Sequence, residues 1–326
     1  MSRIVIALGG NALGDTACEQ RARIEAAAPA LVGLIAQGHE IIVTHGNGPQ
    51  VGAIRLAFET ASARTDAVPA MGLAECTAMS QGYIGYHLQQ GLARELSRVG
   101  MPWHVATVVT QVEVDPEDPA FDTPTKPIGA FYDEATAQRL IAADPTLRMA
   151  EDSGRGWRTV VASPRPVRIV ERESILNLLD HEFIVIACGG GGIPVVPGED
   201  GALRGVAGVV DKDSASAVLA DAVGADHLII LTAVDRVAVR FGTPHQEDLD
   251  RLDVATAQRH LDAGEFAAGS MRPKVEAAIQ FASSSPGRTA MICSLEKAPL
   301  AMRGESGTRI IGAPAPVLPH SLSRAG

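Results

Sequence analysis

Six short runs of β-branched and aliphatic residues recur along the chain, and they constrain its fold more than any other feature: Arg3–Leu8, Glu40–Thr44, His104–Thr110, Phe183–Cys188, His227–Thr232 and Thr289–Ser294. Each is continuous in apolar character rather than alternating, the pattern of strands buried on both faces of a parallel sheet. Longer helical patterns separate them. Ile84, Leu88, Leu92 and Leu96 mark one helix face, and Val275, Ala278, Ile279 and Ala282 mark another. The expected architecture is a three-layer α/β/α sandwich around an open, mostly parallel sheet.

The first, second, fourth and fifth runs lead into turns of small residues. These are Gly9-Gly10-Asn11, Gly46-Asn47-Gly48-Pro49, Gly189-Gly190-Gly191-Gly192 and Thr232-Ala233-Val234-Asp235. Loops at the carboxyl ends of parallel strands line one crevice. Glycine lets backbone N–H groups approach a ligand, and loop amides followed by helix N-termini favour anions, phosphate above all. The plain alternative for any one glycine pair is a tight turn, but three such loops in one chain point to an anion cradle. The chain contains no GxxxxGK[ST], and GNGPQV lacks the third glycine of GxGxxG, so neither a P-loop nor a conventional dinucleotide domain is expected.

Four of the 28 basic residues are lysine and the rest arginine. Lys126 sits in the proline-clamped PTKPIG. Lys212 lies between Asp211 and Asp213 at the start of a helical stretch, where two carboxylates would hold its ammonium in place and charged. Lys274 opens a helix, against the macrodipole preference for anions at that end, which an anion docked there would explain. Lys297 has no comparable setting and reads as surface. Phosphoryl transfer needs positioning and positive charge over the transferred oxygens, which glycine-loop amides and two or three lysines supply. Mg²⁺ then sits mainly on substrate phosphates. Of the histidines only His45 adjoins a glycine loop, and a packed loop residue is the expected role.

The net charge of −10, with no run of basic residues, excludes a general nucleic-acid binder and a basic membrane anchor. No stretch approaches the roughly 20 apolar residues of a membrane span. RIVIAL at the start lacks the longer apolar core of a signal peptide. The four cysteines are far apart, without metal or disulfide spacing, so a reducing cytoplasm is the expected setting and no protein metal site is expected.

Asp115 to Gly129 holds four prolines, and its polar character extends to about Pro166, reading as a small protruding subdomain over about 113–166. Pro194–Gly208, rich in proline and glycine, reads as a boundary between an N-terminal lobe (1–200) and a C-terminal lobe (201–312). Residues 313–326 read as a loose tail.

Together these segments resemble the amino acid kinase superfamily and, within it, the carbamate kinase family. The similarity runs across nearly the whole chain, through VIALGGNAL, VTHGNGPQVG, AMSQGYIGYHL, VVTQVEVDPEDPAF, PTKPIG, DSGRGWRTVVASPRP, CGGGGIPVV, VVDKDSAS and AGSMRPKVEAAIQF. Acetylglutamate and aspartate kinases typically carry a lysine before the first glycine loop, where this chain has Ala7-Leu8. The resemblance implies reversible transfer between ATP and carbamate, giving ADP and carbamoyl phosphate, run catabolically toward ATP by a cytoplasmic homodimer with Mg²⁺. It assigns Gly9, Gly10 and Asn11 to the transferred phosphoryl group, and Gly46, Asn47 and Gly48 to the carbamate end. Lys126 would reach carbamate and phosphate from the subdomain, while Lys212, oriented by Asp211 or Asp213, would stabilise the transferring group. Lys274 would neutralise the nucleotide's phosphates, with the base near Ala233, Val234, Asp235 and Met271. Carbamate is already an oxyanion, so no general base is required. Relatives commonly read TGVD and an aromatic-GKP element near the adenine, and often a small polar residue where this chain has Arg240. Here the two elements read Thr232-Ala233-Val234-Asp235 and Phe241-Gly242-Thr243-Pro244. A kinase of the same fold acting on another small carboxylate, and a non-catalytic sensor of nucleotide or carbamoyl phosphate, are the competing readings.

Overall fold

The computed structural model describes residues 2–9, 13, 14, 16–152 and 154–313. The first strand shows why the chain layers as it does. Ile4, Ile6 and Leu8 enter one apolar cluster while Val5 and Ala7 enter another on the opposite sheet face. Successive strand side chains point to opposite faces, so a strand apolar at every position demands helices on both sides. The helices Ala17–Ile35 and Leu73–Arg98 cover the first face. The helices Arg172–Asp180, Lys212–Ala222, Val254–Asp262 and Met271–Ser284 cover the second.

The central sheet has eight strands, in the order Arg251–Asp253, Thr308–Ile311, Thr289–Ser294, His227–Thr232, Arg3–Leu8, Glu40–His45, Phe183–Ile186 and His104–Thr107. All six expected runs lie in it and are mutually parallel. The four strands that lead into the small-residue turns are four consecutive neighbours, so those turns share one edge of the sheet. Two details differ from the sequence reading. The sheet gains an antiparallel edge at Thr308–Ile311, with Arg251–Asp253 beyond it. These strands are too short to register as apolar runs. Two expected strands also end early: one stops at Thr107, and the other at Ile186, because Cys188 adopts a left-handed backbone with φ 50°.

Residues Pro194–Gly208 form a hairpin, Ile193–Pro197 with Leu203–Gly205, in a second sheet completed by Gln111–Val114 and Pro166–Ile169. From that sheet the chain extends into three antiparallel strands, Lys126–Tyr132, Trp157–Val161 and Met149–Glu151, with the helix Glu134–Ala143. This unit docks on the helix Gly48–Ser62. Val51, Ile128 and Val161 share a small core with Leu73, Cys76 and Val209, and Arg158 donates two hydrogen bonds to the Gly129 carbonyl, at 3.1 and 2.9 Å. The contact is close because neither partner has a side chain. A Cβ on Gly52 would lie 2.1 Å from Gly129 Cα and 2.3 Å from its nitrogen, and Gly129 has φ +75°. Of the last expected element, the tail over 313–326, all but Ala313 lies outside the described residues, as do Gly10 and Asn11.

Gly52→Ala must therefore push backbone against backbone. It is expected to destabilise the protein by about 1–3 kcal/mol, read as a lowered Tm. Gly33→Ala, in the helix Ala17–Ile35 with open space around the added methyl, should not lower it.

Candidate active site

Charge is concentrated where the helix Lys212–Ala222 begins. Asp211 is its N-cap, and its Oδ1 accepts the backbone N–H groups of Asp213 and Ser214 at 2.9 and 3.2 Å. Its Oδ2 accepts from Lys126 Nζ at 2.5 Å, across 85 residues of chain. Asp213 divides its oxygens in the same way. Oδ1 takes Lys212 Nζ, and Oδ2 takes Lys274 Nζ at 3.0 Å. Lys126, Lys212 and Lys274 thus arrive from the small three-stranded unit, from this helix and from the start of the helix Met271–Ser284, and two carboxylates gather them. The wrong-end placement of Lys274 is offset by Asp213, which is almost fully buried beside it. Lys297 stands apart, at the N-cap of the short helix Ala298–Met302.

These pairings set the ionisation of the group. Burial pushes the Asp211 carboxyl up, but the Lys126 ammonium and the hydrogen bond it donates outweigh that and hold Asp211 well below the usual carboxylate range. Lys212 moves down from the ordinary lysine range: burial and the Lys274 charge outweigh the support of Asp213 and Asp211. The sequence reading, that flanking carboxylates keep this ammonium charged, thus captured only one of two opposing effects.

The loops pack around this cluster. Gly191 abuts the residue before Asp211, since a Cβ there would lie 2.2 Å from the Val210 carbonyl oxygen. Gly190 lies under the Asn47 side chain and Gly189 under the His45 ring. Three residues of this tract, Gly190 to Gly192, have positive φ. Gly9 comes so near the neighbouring strand that a Cβ would be 2.9 Å from Leu231 O. Gly46 O accepts from His45 Nδ1 at 3.0 Å, and Gly48 opens the helix Gly48–Ser62 ahead of Pro49. Ala233, Val234 and Asp235 follow the strand His227–Thr232, with Ser294 Oγ donating to Asp235 at 2.5 Å. Met271 opens its helix and packs against the core cluster that contains Val237 and Val239. Arg240 adopts φ 52° and ties its own loop together, donating to His245 O and Glu247, while Phe241 is exposed.

The sequence reading missed the residues that hold the loops from behind. Gln81, fully buried on the helix Leu73–Arg98, donates to the Thr110 and Gly189 carbonyls at 3.1 and 2.9 Å and accepts from Thr110 N at 2.8 Å. Thr110 Oγ1 in turn accepts from Cys188 N at 2.9 Å. Ser216 Oγ donates to Lys212 O and meets Thr44 Oγ1, both at 2.6 Å, fastening the lysine helix to the strand Glu40–His45. A signal existed: Thr77, Ser80 and Gln81 continue the stripe of Ile84 and Leu88 toward the helix start, so polar residues occupy positions the period assigns to the core.

His45 carries a pH consequence. Its ring is fully buried and Nε2 has no hydrogen-bond partner among the described residues. Burial, with a smaller contribution from the Lys212 charge and against the Gly46 hydrogen bond, lowers its pKa from 6.5 to about 4. The folded state then binds fewer protons than the unfolded chain between those values, so stability rises with pH across this window and levels off above it. His87 and His227, lowered chiefly by burial, act in the same direction. Denaturant unfolding at a series of pH values should show this rise, with His45 contributing on the order of 3 kcal/mol. His45→Gln should flatten the slope; an unchanged slope would refute the assignment.

Comparison with known proteins agrees with this architecture. The model described as the amino acid kinase family matches residues 2–294. A carbamate kinase-like protein of Escherichia coli is 54% identical over 309 residues, covering 94% of this chain and 98% of the relative. A carbamate kinase of Staphylococcus epidermidis is 47% identical over 310 residues, covering 95% and 99%. Among solved structures, carbamate kinase from Giardia lamblia bound to AMP-PNP superposes with a TM-score of 0.86 at 42% identity, covering 95% of this chain and 98% of that one. A family match over most of the chain, joined to full-length relatives at this identity, settles the affiliation: the chain belongs to the amino acid kinase family.

Proposed function

We propose that the chain is a carbamate kinase, transferring a phosphoryl group reversibly between ATP and carbamate to give ADP and carbamoyl phosphate, and that it runs toward ATP. The observation that carries this reading is the convergence of Lys126, Lys212 and Lys274 through Asp211 and Asp213 beside the loops at the carboxyl ends of four neighbouring strands. Carbamoyl phosphate and ADP bring several negative charges into one site. A transferring phosphoryl group spreads charge over three oxygens and asks of a protein mainly position and positive charge. The solved relative from Giardia lamblia binds AMP-PNP, which supports a nucleotide here.

In this reading residues 1–200 hold the carbamate end and residues 201–312 the nucleotide. Gly9, with Gly10 and Asn11, cradles the phosphoryl group, while Gly46, Asn47 and Gly48 take carbamate. Lys126 exchanges Asp211 for substrate oxygens. Lys212 faces the transferring group, and Asp213 orients both Lys212 and Lys274, the latter toward the nucleotide's phosphates. The base lies near Ala233, Val234, Asp235 and Met271. Mg²⁺ brought by the nucleotide would neutralise charge on its phosphates, while Asp211 and Asp213 stay paired with the lysines. Cytoplasmic placement accords with four unpaired cysteines. A homodimer has a place at the sheet edge, where His104–Thr107 pairs on one side only among the described residues, beside exposed Tyr86 and Val109.

Purified protein with ADP, Mg²⁺ and carbamoyl phosphate should form ATP. Lys126→Ala and Lys212→Ala should each lower kcat about 10²–10³-fold, as for a lost electrostatic catalyst. Lys212→Arg should not restore the rate, because a planar guanidinium cannot replace a compact ammonium between two carboxylates. Phosphorylation of acetylglutamate or aspartate instead, or tight binding without turnover, would overturn the reading. Sedimentation of the wild type should give a mass of two chains.

A further inference from the structure

We infer that Asn47 reads the amino group of the substrate, and that Ser80, fully buried behind it, sets its amide the right way round; this rests on the carbamate kinase reading above. Asn47 occupies the N-cap of the helix Gly48–Ser62, where an asparagine oxygen ordinarily accepts a backbone N–H of the first turn. Here it makes no such bond. Its side chain turns instead to the helix Leu73–Arg98, and Nδ2 donates to Ser80 Oγ at 2.8 Å.

The direction of that bond follows from proton counting. Ser80 has one hydroxyl proton, and it is donated to the Thr77 carbonyl at 2.7 Å, an oxygen that can only accept. Ser80 Oγ therefore has only acceptance left to offer Asn47. The reversed amide would set two buried acceptors against one proton, leaving one unpaired at a cost. The amide also lies against Gly190, where a Cβ would sit 2.1 Å from Nδ2 and 2.7 Å from Oδ1, so the side chain is confined. Asn47 is 3% exposed, and the hydrogen bond its side chain makes among the described residues uses Nδ2, which leaves Oδ1 as the end free to accept.

An amide oxygen is an odd neighbour for an anion cradle, since it repels carboxylate and phosphoryl oxygens. It suits a donor. Carbamate and carbamoyl phosphate carry an NH₂ on the carbon that bears the reacting oxygen, and acetate and acetyl phosphate carry a methyl of nearly the same size there. A fixed acceptor accepts from the first and leaves itself unpaired against the second, the arrangement that discriminates most strongly between isosteres.

The test compares kcat/KM for ATP formation from ADP with carbamoyl phosphate and with acetyl phosphate. Wild type should favour carbamoyl phosphate by at least about a hundredfold. Ser80→Ala, which frees the amide to rotate, should lower that ratio about tenfold or more through the carbamoyl phosphate arm alone. Ser80→Thr, which keeps the hydroxyl, should restore it, a rescue that a merely structural serine would not show. Asn47→Leu, similar in shape but without the acceptor, should lower it at least as far, and decides the matter if Ser80→Ala does not fold. A wild-type ratio near one, or an unchanged ratio in folded Ser80→Ala or Asn47→Leu, overturns the inference while leaving the kinase reading intact. Wild type that forms no ATP from either phosphate overturns that reading, and the inference with it.

Discussion

The alternation of Lys126, Asp211, Lys212, Asp213 and Lys274 is the interaction on which the rest of the molecule turns. Three ammonium groups of one sign do not assemble unaided in a recess, because each loses hydration and repels the others. Asp211 and Asp213 make the assembly possible by standing between them, and Asp211 also caps the helix on which Lys212 sits. Removing either carboxylate would leave partly buried cations facing one another, a costlier change than the loss of an exposed pair. The compensation is incomplete at Lys212, where burial lowers the proton affinity. A phosphoryl group arriving in the proposed reaction would bring the negative charge this ammonium lacks, so binding and catalysis would draw on the same imbalance.

The glycine loops serve that cluster by letting backbone lie where side chains would collide. Gly190 accommodates Asn47, Gly189 accommodates His45, and Gly191 meets the carbonyl just before Asp211. Such contacts are rigid only if something holds the loops from behind, and the helix Leu73–Arg98 does so. Gln81 spends both its amide groups on Thr110 and Gly189, while Ser80 fixes Asn47. A buried polar network of this kind specifies one arrangement, because any slip leaves a donor or acceptor unpaired.

The fold was legible wherever a strand is apolar on both faces. Arg3–Leu8 and its parallel neighbours announce themselves, since short β-branched runs apolar at every position suit a sheet covered on both sides. The edge was not legible: Arg251–Asp253 is three residues with one buried side chain, and only its pairing with Thr308–Ile311 makes it a strand. At the site, composition drew attention to Lys126, Lys212 and Lys274, but sequence left open which carboxylate serves which lysine. That depends on contacts across 61 and 85 residues, which local pattern does not carry. Ser80, Gln81 and Thr110 were hidden for a different reason. Apart from the Asn47–Ser80 contact, their hydrogen bonds run to backbone atoms, so side-chain type hints only that something polar is buried there.

The scarcity of lysine has a physical reading in this arrangement. Arginine does the surface work, pairing along exposed helix faces as Arg55 does with Glu59 and Arg272 with Glu276, where a flexible planar fork loses little by staying hydrated. Between Asp211 and Asp213 a fork would span both carboxylates and spend its donors on them. The ammonium is a compact charge with three rotatable donors, so it can keep one carboxylate and still turn a proton toward an incoming oxygen. Lys297, at the N-cap of a short helix, stands outside the cluster and is the exception. Three of the four ammonium groups thus stand where, in the proposed reaction, a charge would be both held and shared.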